Sequence, residues 1–280
     1  MEEYDLRITK AKQMIGKAEY IIIGAGSGLS TAAGLEYCGE SFKKNFKEFI
    51  NKYHFNDLYS ASFYDFKTQE EKWAFFAKMI KLNRYNKTPL KLYNELYKIV
   101  KNKKYFVLST NVDGQFYNSG FDKEKVFEVQ GDYGYLQCEN ACHNKLYDNE
   151  SLVYKWLENT RDCKIPSELV MKCPVCGGNM DMNLRKDANF VQDENWYKQA
   201  ERYKQFLKEA ENKSVVLLEI GVGFNTPGII RFPFEQMTAS NEKTRLIRIN
   251  KEYPMPLLEI EDKTISFDEN TNKIIEDLKE

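Results

Sequence analysis

Apolar residues recur along this chain in two patterns, helical spacing and short unbroken runs, and their alternation sets the expected fold. Leu6, Ala11, Met14 and Ile15 share one face of a helix over residues 5–18. Tyr20-Ile21-Ile22-Ile23 then reads as a buried strand that runs into glycine, and Ser30 is placed to cap the helix that follows. Phe42, Phe46, Phe49 and Ile50 have helical spacing, as do Trp73, Phe76, Ala77 and Ile80, so residues 41–85 read as a helical insertion. Thr88-Pro89 supplies a cap and a first-turn proline for a helix striped by Leu92, Leu96, Ile99 and Val100. Strands are expected at Tyr105–Leu108, Val126–Val129, Val215–Ile220 and Thr244–Ile249, with a helix through Trp196, Ala200, Tyr203 and Leu207. Residues 136–183 turn polar and cysteine-containing without a clear period.

Strands alternating with helices imply an α/β fold with a doubly wound parallel sheet. Ligands of such sheets bind outside the carboxyl ends of the strands, and four strand ends here collect the glycine-rich and polar segments. Gly24-Ala25-Gly26-Ser27-Gly28-Leu29 follows a strand and opens a helix, a setting for phosphate. The third glycine of a full dinucleotide fingerprint would fall at Leu29, and an ordinary tight turn is the alternative. Ser109 to Phe116 projects Asn111 and Asp113 to one side if extended, fit for a ribose hydroxyl, a carboxamide or a water; an Asx turn is the alternative. Gly221-Val222-Gly223-Phe224-Asn225-Thr226-Pro227-Gly228 is a second glycine-rich strand end, with Pro227 suited to a first helical position and a plain turn as the alternative.

The chain has 280 residues, 41 basic against 42 acidic, so no global field draws it to nucleic acid or to an anionic membrane. It lacks the roughly 18 consecutive apolar residues of a membrane span, and its acidic start is unlike a signal peptide, so a cytoplasmic location is expected. Six cysteines in a reducing compartment are poor disulfide candidates. Cys138-x3-Cys142 and Cys173-x2-Cys176 could close a four-thiolate zinc site with no open position for catalysis, and His143 could replace Cys142. Unrelated buried or free thiols are the alternative; Cys38 and Cys163 have no such pairing.

Taken in order, these segments resemble the sirtuin family across nearly the whole chain. Gly24-Ala25-Gly26 with Ser30 to Gly34 is similar to its cofactor loop, and Ser109-Thr110-Asn111-Val112-Asp113 to its T-Q-N-I-D segment. The cysteine pairs match its zinc module, and Gly221-Val222-Gly223 with Ile249-Asn250 resembles its nucleotide contacts. The usual continuation of the cofactor loop is missing, with Leu35-Glu36-Tyr37-Cys38 in its place, and Gln130 stands where a deacetylase carries its catalytic histidine. With Asn183-Leu184-Arg185-Lys186-Asp187 and Arg231-Phe232-Pro233-Phe234, the pattern resembles the macrodomain-linked microbial class.

The resemblance implies one sirtuin domain: a Rossmann-like NAD-binding core at 5–40, 86–135 and 190–280, the insertion at 41–85 and a zinc module at 136–185. It implies NAD as co-substrate, structural zinc, and protein ADP-ribosyltransfer to a lipoylated carrier related to the glycine-cleavage H protein, with a macrodomain hydrolase as a second partner. A carboxamide cannot serve as a general base near neutrality, so Gln130 should cripple deacylation by about 10²–10⁴-fold while sparing nicotinamide departure. Asn111 and Gln130 would orient the nicotinamide ribose and the nucleophile, Asp113 would hold the nicotinamide carboxamide, and Arg185 would engage the acceptor or the intermediate. Gly24, Ala25, Gly26, Ser30, Gly221, Gly223, Asn225 and Asn250 would bind the rest of the cofactor. A weak deacylase and a non-catalytic NAD or ADP-ribose sensor are the competing readings.

Overall fold

Ile21, Ile22 and Ile23 are wholly buried, which requires that both faces of their strand be covered. In the computed structural model, which describes residues 2–35, 39–85 and 90–279, they lie on β1 (Tyr20–Ala25). The strands that follow are β2 (Lys104–Ser109), β3 (Val126–Glu128), β4 (Gly131–Cys138), β5 (Tyr147–Asp148), β6 (Met180–Leu184), β7 (Val215–Ile220), β8 (Thr244–Ile249) and β9 (Thr264–Phe267). Six of them form a parallel sheet in the order β3-β2-β1-β7-β8-β9. The order reverses between β1 and β7, and the divergence of the connections there opens a crevice at the carboxyl ends.

The chain divides into two units. One comprises Met1–Gly34, Pro89–Gln130 and Glu194–Glu280 and contains this sheet. On one face Ile21 and Ile23 join Ile8, Ala11 and Ile15 of the helix Tyr4–Lys17, Leu92 and Leu96 of Lys91–Val100, and Ile274 and Ile275 of Thr271–Lys279. On the other, Tyr20 and Ile22 pack with Ile230 and Phe234 and with Phe206 and Leu207 of the helix Glu194–Glu209. Each such buried side chain contributes about 1.5–3 kcal/mol.

The other unit comprises Leu35–Thr88 and Gly131–Asp193, so the expected helical insertion and cysteine-rich module fall within one body. Its antiparallel sheet has the order β5-β4-β6. Trp73 of the helix Gln69–Asn83 stacks on Trp156 of the helix Glu150–Asn159 at 4.9 Å and 24°. Ion pairs brace it: Arg84 with Asp132 at 2.6 Å and Lys72 with Asp181 at 3.0 Å.

The sequence expectations are corrected at several points. The Phe42-to-Ile50 stripe is two helices, Gly39–Asn45 and Lys47–Tyr53, interrupted at Phe46, whose buried ring packs on Phe42, Phe49 and Phe75. Ser30 caps nothing, since the helix Ser27–Ala32 starts after Gly26 and has no side-chain cap. Pro227 lies in turns ahead of the helix Arg231–Ser240 rather than in its first turn. Cys38 and the Thr88-Pro89 cap lie outside the described residues.

Candidate functional site at the carboxyl ends of the parallel strands

The two glycine turns fit into one another. Gly26 donates its N–H to Ile220 O at 3.0 Å and Gly28 donates to Gly221 O at 3.0 Å. A Cβ on Gly26 would stand 2.5 Å from Gly221 O, and one on Gly28 would stand 2.7 Å from Gly221 Cα. Gly221 itself has φ +62, a left-handed conformation that glycine adopts without strain. Gly28, one position early for a dinucleotide fingerprint, therefore serves backbone packing between turns. Gly24 is also a packing glycine: a Cβ there would meet Ile230 and Phe234 side-chain carbons at 2.5 and 2.6 Å.

Beside this seam β2 ends at Ser109, and the chain that follows carries Asn111 and Asp113, both buried. Asn111 Nδ2 donates to Gly26 O at 3.0 Å, and Ser109 Oγ accepts the Asn111 backbone N–H at 3.0 Å. Asp113 Oδ2 accepts from Ser30 Oγ at 2.5 Å, and its Oδ1 accepts the Gln115 N–H at 3.2 Å. Ser30 Oγ lies 3.0 Å from the hydroxyl of Tyr93, a buried residue that no sequence motif singled out. Burial, then the Asp113 carboxylate, pushes the Tyr93 phenol well above its ordinary range, so it stays protonated.

Gln130, two residues past β3 and half-buried, donates Nε2 to Thr226 Oγ1 at 2.9 Å, which ties it to the loop after Gly221. Asn225 in that loop is exposed. Asn250 is buried and donates to Val222 O at 2.7 Å while its Oδ1 accepts the N–H groups of Glu252 and Tyr253 at 3.0 Å each. Its side chain thus pins the strand-end turns to each other. Arg185 follows β6 in the other unit and is exposed. Nearby, Lys186 bonds Asp181, and Asn183 is bound to Gln137 at 2.7 Å and to Val191 O at 2.9 Å.

A cavity of about 600 Å³, within the range that takes nucleotide-sized ligands, is lined by Ser27, Gly28, Gly221, Gly223, Asn250 and Tyr253 among others. A buried ion cluster underlies it. Arg248 pairs with Glu219 at 2.7 Å and with Glu235 at 2.9 Å. Arg231 donates to Tyr253 O at 3.2 Å and lies 4.5 Å from the centre of the Phe224 ring. Desolvation pushes the Glu219 carboxyl up, against the pull of Arg248 and Arg231. The sequence held a signal for this cluster: Glu219 and Arg248 interrupt otherwise apolar strand runs.

In the second unit the Sγ atoms of Cys138, Cys142, Cys173 and Cys176 all lie within 4.8 Å of one another, with Cys138–Cys176 and Cys142–Cys173 at 3.6 Å. Tetrahedral zinc thiolate bonds of about 2.3 Å set sulfurs about 3.8 Å apart, so this set fits the ion. Burial opposes ionisation of Cys173, yet the backbone N–H groups of Cys176 and Val175 bring its thiol down to about 6. Desolvation and the neighbouring sulfurs push Cys142 up. His143 Nδ1 stands 3.1 Å from Cys142 Sγ, and its Nε2 is bonded to the Tyr147 hydroxyl at 3.0 Å. Cys163 is buried and lies outside the cluster. Among the described residues no helix is long and apolar enough to cross a membrane.

A parallel sheet with crossed glycine turns and an inserted cysteine module is the architecture of the Sir2 enzymes. A Sir2 homologue in complex with ADP-ribose superposes with a TM-score of 0.60 at 14% identity, covering 100% of this chain and 95% of that one. A Sir2 homologue–NAD complex gives 0.58 at 17% identity, covering 97% and 92%. No family model matches. A protein ADP-ribosyltransferase of Staphylococcus aureus is 35% identical over 277 residues, 98% of this chain and 88% of that one. A probable bifunctional ADP-ribose hydrolase/ADP-ribosyltransferase of Fusarium oxysporum f. sp. cubense is 32% identical over 256 residues, 86% of this chain and 42% of that one. The chain belongs to the family of sirtuin-fold protein ADP-ribosyltransferases.

Proposed function

We propose that this protein transfers ADP-ribose from NAD to a lipoylated carrier protein and releases nicotinamide. The glycosidic bond between nicotinamide and C1′ of the ribose breaks with its electron pair on nicotinamide. A nucleophile of the acceptor then bonds to C1′ and gives up its proton. Nicotinamide departure calls for positioning and stabilisation of an oxocarbenium-like centre, which fixed dipoles supply. Asn111 and Gln130 orient the ribose, Asp113 holds the nicotinamide carboxamide, and Arg185 of the second unit engages the acceptor. Gly28, Gly221, Gly223 and Asn250 border the cavity that takes the adenosine end, with Ser30 holding Asp113 from behind. The four thiolates hold structural zinc. A macrodomain hydrolase that removes the modification fits the bifunctional naming of the fungal relative.

One observation carries the reading: Gln130, which by sequence resemblance stands for a deacetylase base, is a carboxamide hydrogen-bonded to Thr226, and a carboxamide can orient a hydroxyl but removes no proton from it. The test incubates the protein with labelled NAD and either a lipoylated carrier or an acetyl-lysine peptide. Label is expected on the carrier, with no efficient deacetylation. A carrier that stays unlabelled while the peptide is deacetylated sinks the proposal, and intact NAD with no nicotinamide released would favour a sensor.

A further inference from the structure

His143 stands against the four-sulfur cluster without belonging to it. The sulfurs of Cys138, Cys142, Cys173 and Cys176 form a closed set, all within 4.8 Å of one another, and four thiolates fill every position of a tetrahedral ion. The half-buried imidazole lies beside Cys142, with Nδ1 3.1 Å from Cys142 Sγ and 3.9 Å from Cys173 Sγ. Across the ring, Nε2 is 3.0 Å from the Tyr147 hydroxyl. A metal-bound thiolate can only accept, so Nδ1 carries the proton. In an uncharged imidazole the other nitrogen then accepts, and Tyr147 donates to it. Tyr147 is placed by β5, whose register sets it opposite Leu136 of β4, the strand that ends in Cys138. The imidazole is thereby tied to the sheet that carries a cysteine of the cluster.

Cys142 is the sulfur that needs such a hold. Cys138 and Cys173 are buried, whereas Cys142 and Cys176 are exposed. Of the two exposed thiols, Cys142 follows Ala141 at φ +46, a left-handed conformation that an alanine adopts under strain. An N–H aimed at the sulfur draws off thiolate charge and keeps the side chain turned toward the metal. We propose that His143 is a positioning residue for the metal: its Nδ1–H donates to the Cys142 thiolate and slows the loss of zinc, while the Tyr147 hydroxyl fixes which nitrogen bears the proton. This role rests on the reading of the four thiols as a zinc site, and it excludes the alternative in which His143 takes the place of Cys142.

The test follows zinc release from the full-length protein into a chromophoric chelator. His143→Ala should release zinc about tenfold faster, and Tyr147→Phe should do so by a smaller factor, since the ring stays beside the sulfur. His143→Asn should recover most of the wild-type rate, because its amide N–H can occupy the place of Nδ1–H. A merely structural histidine would not be rescued in this way. With Co2+ in place of zinc, His143→Ala should keep the intensity of thiolate-to-cobalt charge transfer but move the band to longer wavelength, because a thiolate relieved of its hydrogen bond gives up charge more readily. Wild-type release by His143→Ala with an unmoved cobalt band would overturn the inference and leave the four-thiolate site intact. Full charge-transfer intensity in Cys142→Ser, with altered d–d bands in His143→Ala, would make the histidine a ligand and overturn it too. Wild-type protein that takes up neither zinc nor cobalt would remove the zinc reading and the inference together.

Discussion

The two units are held together by different physics. In the parallel-sheet unit β1 is buried along its whole length, and apolar side chains from both faces exclude water; among the charges it buries, Arg248, Glu219, Arg231 and Glu235 pair with one another. The second unit has a short antiparallel sheet, a cluster of aromatic rings and four thiols gathered at the end of β4 and the turn before β6. Its four thiols are close enough together to hold a single metal ion. The difference teaches that a folded glycine seam and a folded cysteine module need not fail together, although both belong to one chain.

The largest effect should come from the thiols. Structural zinc contributes on the order of 10–16 kcal/mol of binding free energy at neutral pH in small metal-dependent domains, more than apolar burial in the short sheet can replace. Removing zinc with a strong chelator, or making Cys173→Ser, is expected to raise hydrogen exchange sharply in β4 and β6 while β1, β2, β7 and β8 stay protected. Uniform loss of protection in both sheets would break the comparison, and unchanged exchange would remove zinc from the account. Next in size is the buried ion cluster. Arg248→Met leaves buried Glu219 and Glu235 to share Arg231 at 3.6 and 3.7 Å, and removing one partner from a buried ion cluster costs up to about 3–5 kcal/mol. Urea denaturation should show that loss in the parallel-sheet unit.

The same contrast explains what was legible beforehand. Val215–Ile220 and Thr244–Ile249 were read to the residue, because strands buried on both faces carry successive apolar residues, here Val215 to Leu218 and Leu246 with Ile247, around the charges Glu219 and Arg248. Thr264–Phe267, an edge strand with half of its side chains partly exposed, gave no such run, and the helix Thr271–Lys279 after it was missed as well. The polar stretch 136–183 hid β4 and β6, since pairing between Gly131–Cys138 and Met180–Leu184 spans more than forty residues. In the site, the four cysteines and the glycine turns were visible because few residue types can fill their roles. Tyr93 was not, since an aromatic residue in a helix with Leu92 and Leu96 looks like core until its hydroxyl is seen to meet Ser30. The capping role read for Ser30 was wrong, for its hydroxyl is bonded to Asp113, 83 positions away.

The smallest effect separates ion pairing from metal within the second unit. Asp181 of β6 is buried, which raises its carboxyl, but the Lys72 ammonium at 3.0 Å and then Lys186 outweigh burial and hold it below the ordinary range. A carboxylate lowered on folding stabilises the native state above its unfolded pKa of about 3.9. That stability is lost as pH falls through the folded value, where the native acid takes up its proton. Lys72→Met should therefore lower stability at pH 7 and flatten the further loss between about pH 5 and the folded pKa. Since thiolate ligands also protonate in acid, the readout is the difference between wild type and Lys72→Met, which share those thiolates, with Trp73 and Trp156 reporting the unit's unfolding. Equal acid slopes with and without Lys72 would place the acid sensitivity outside this pair.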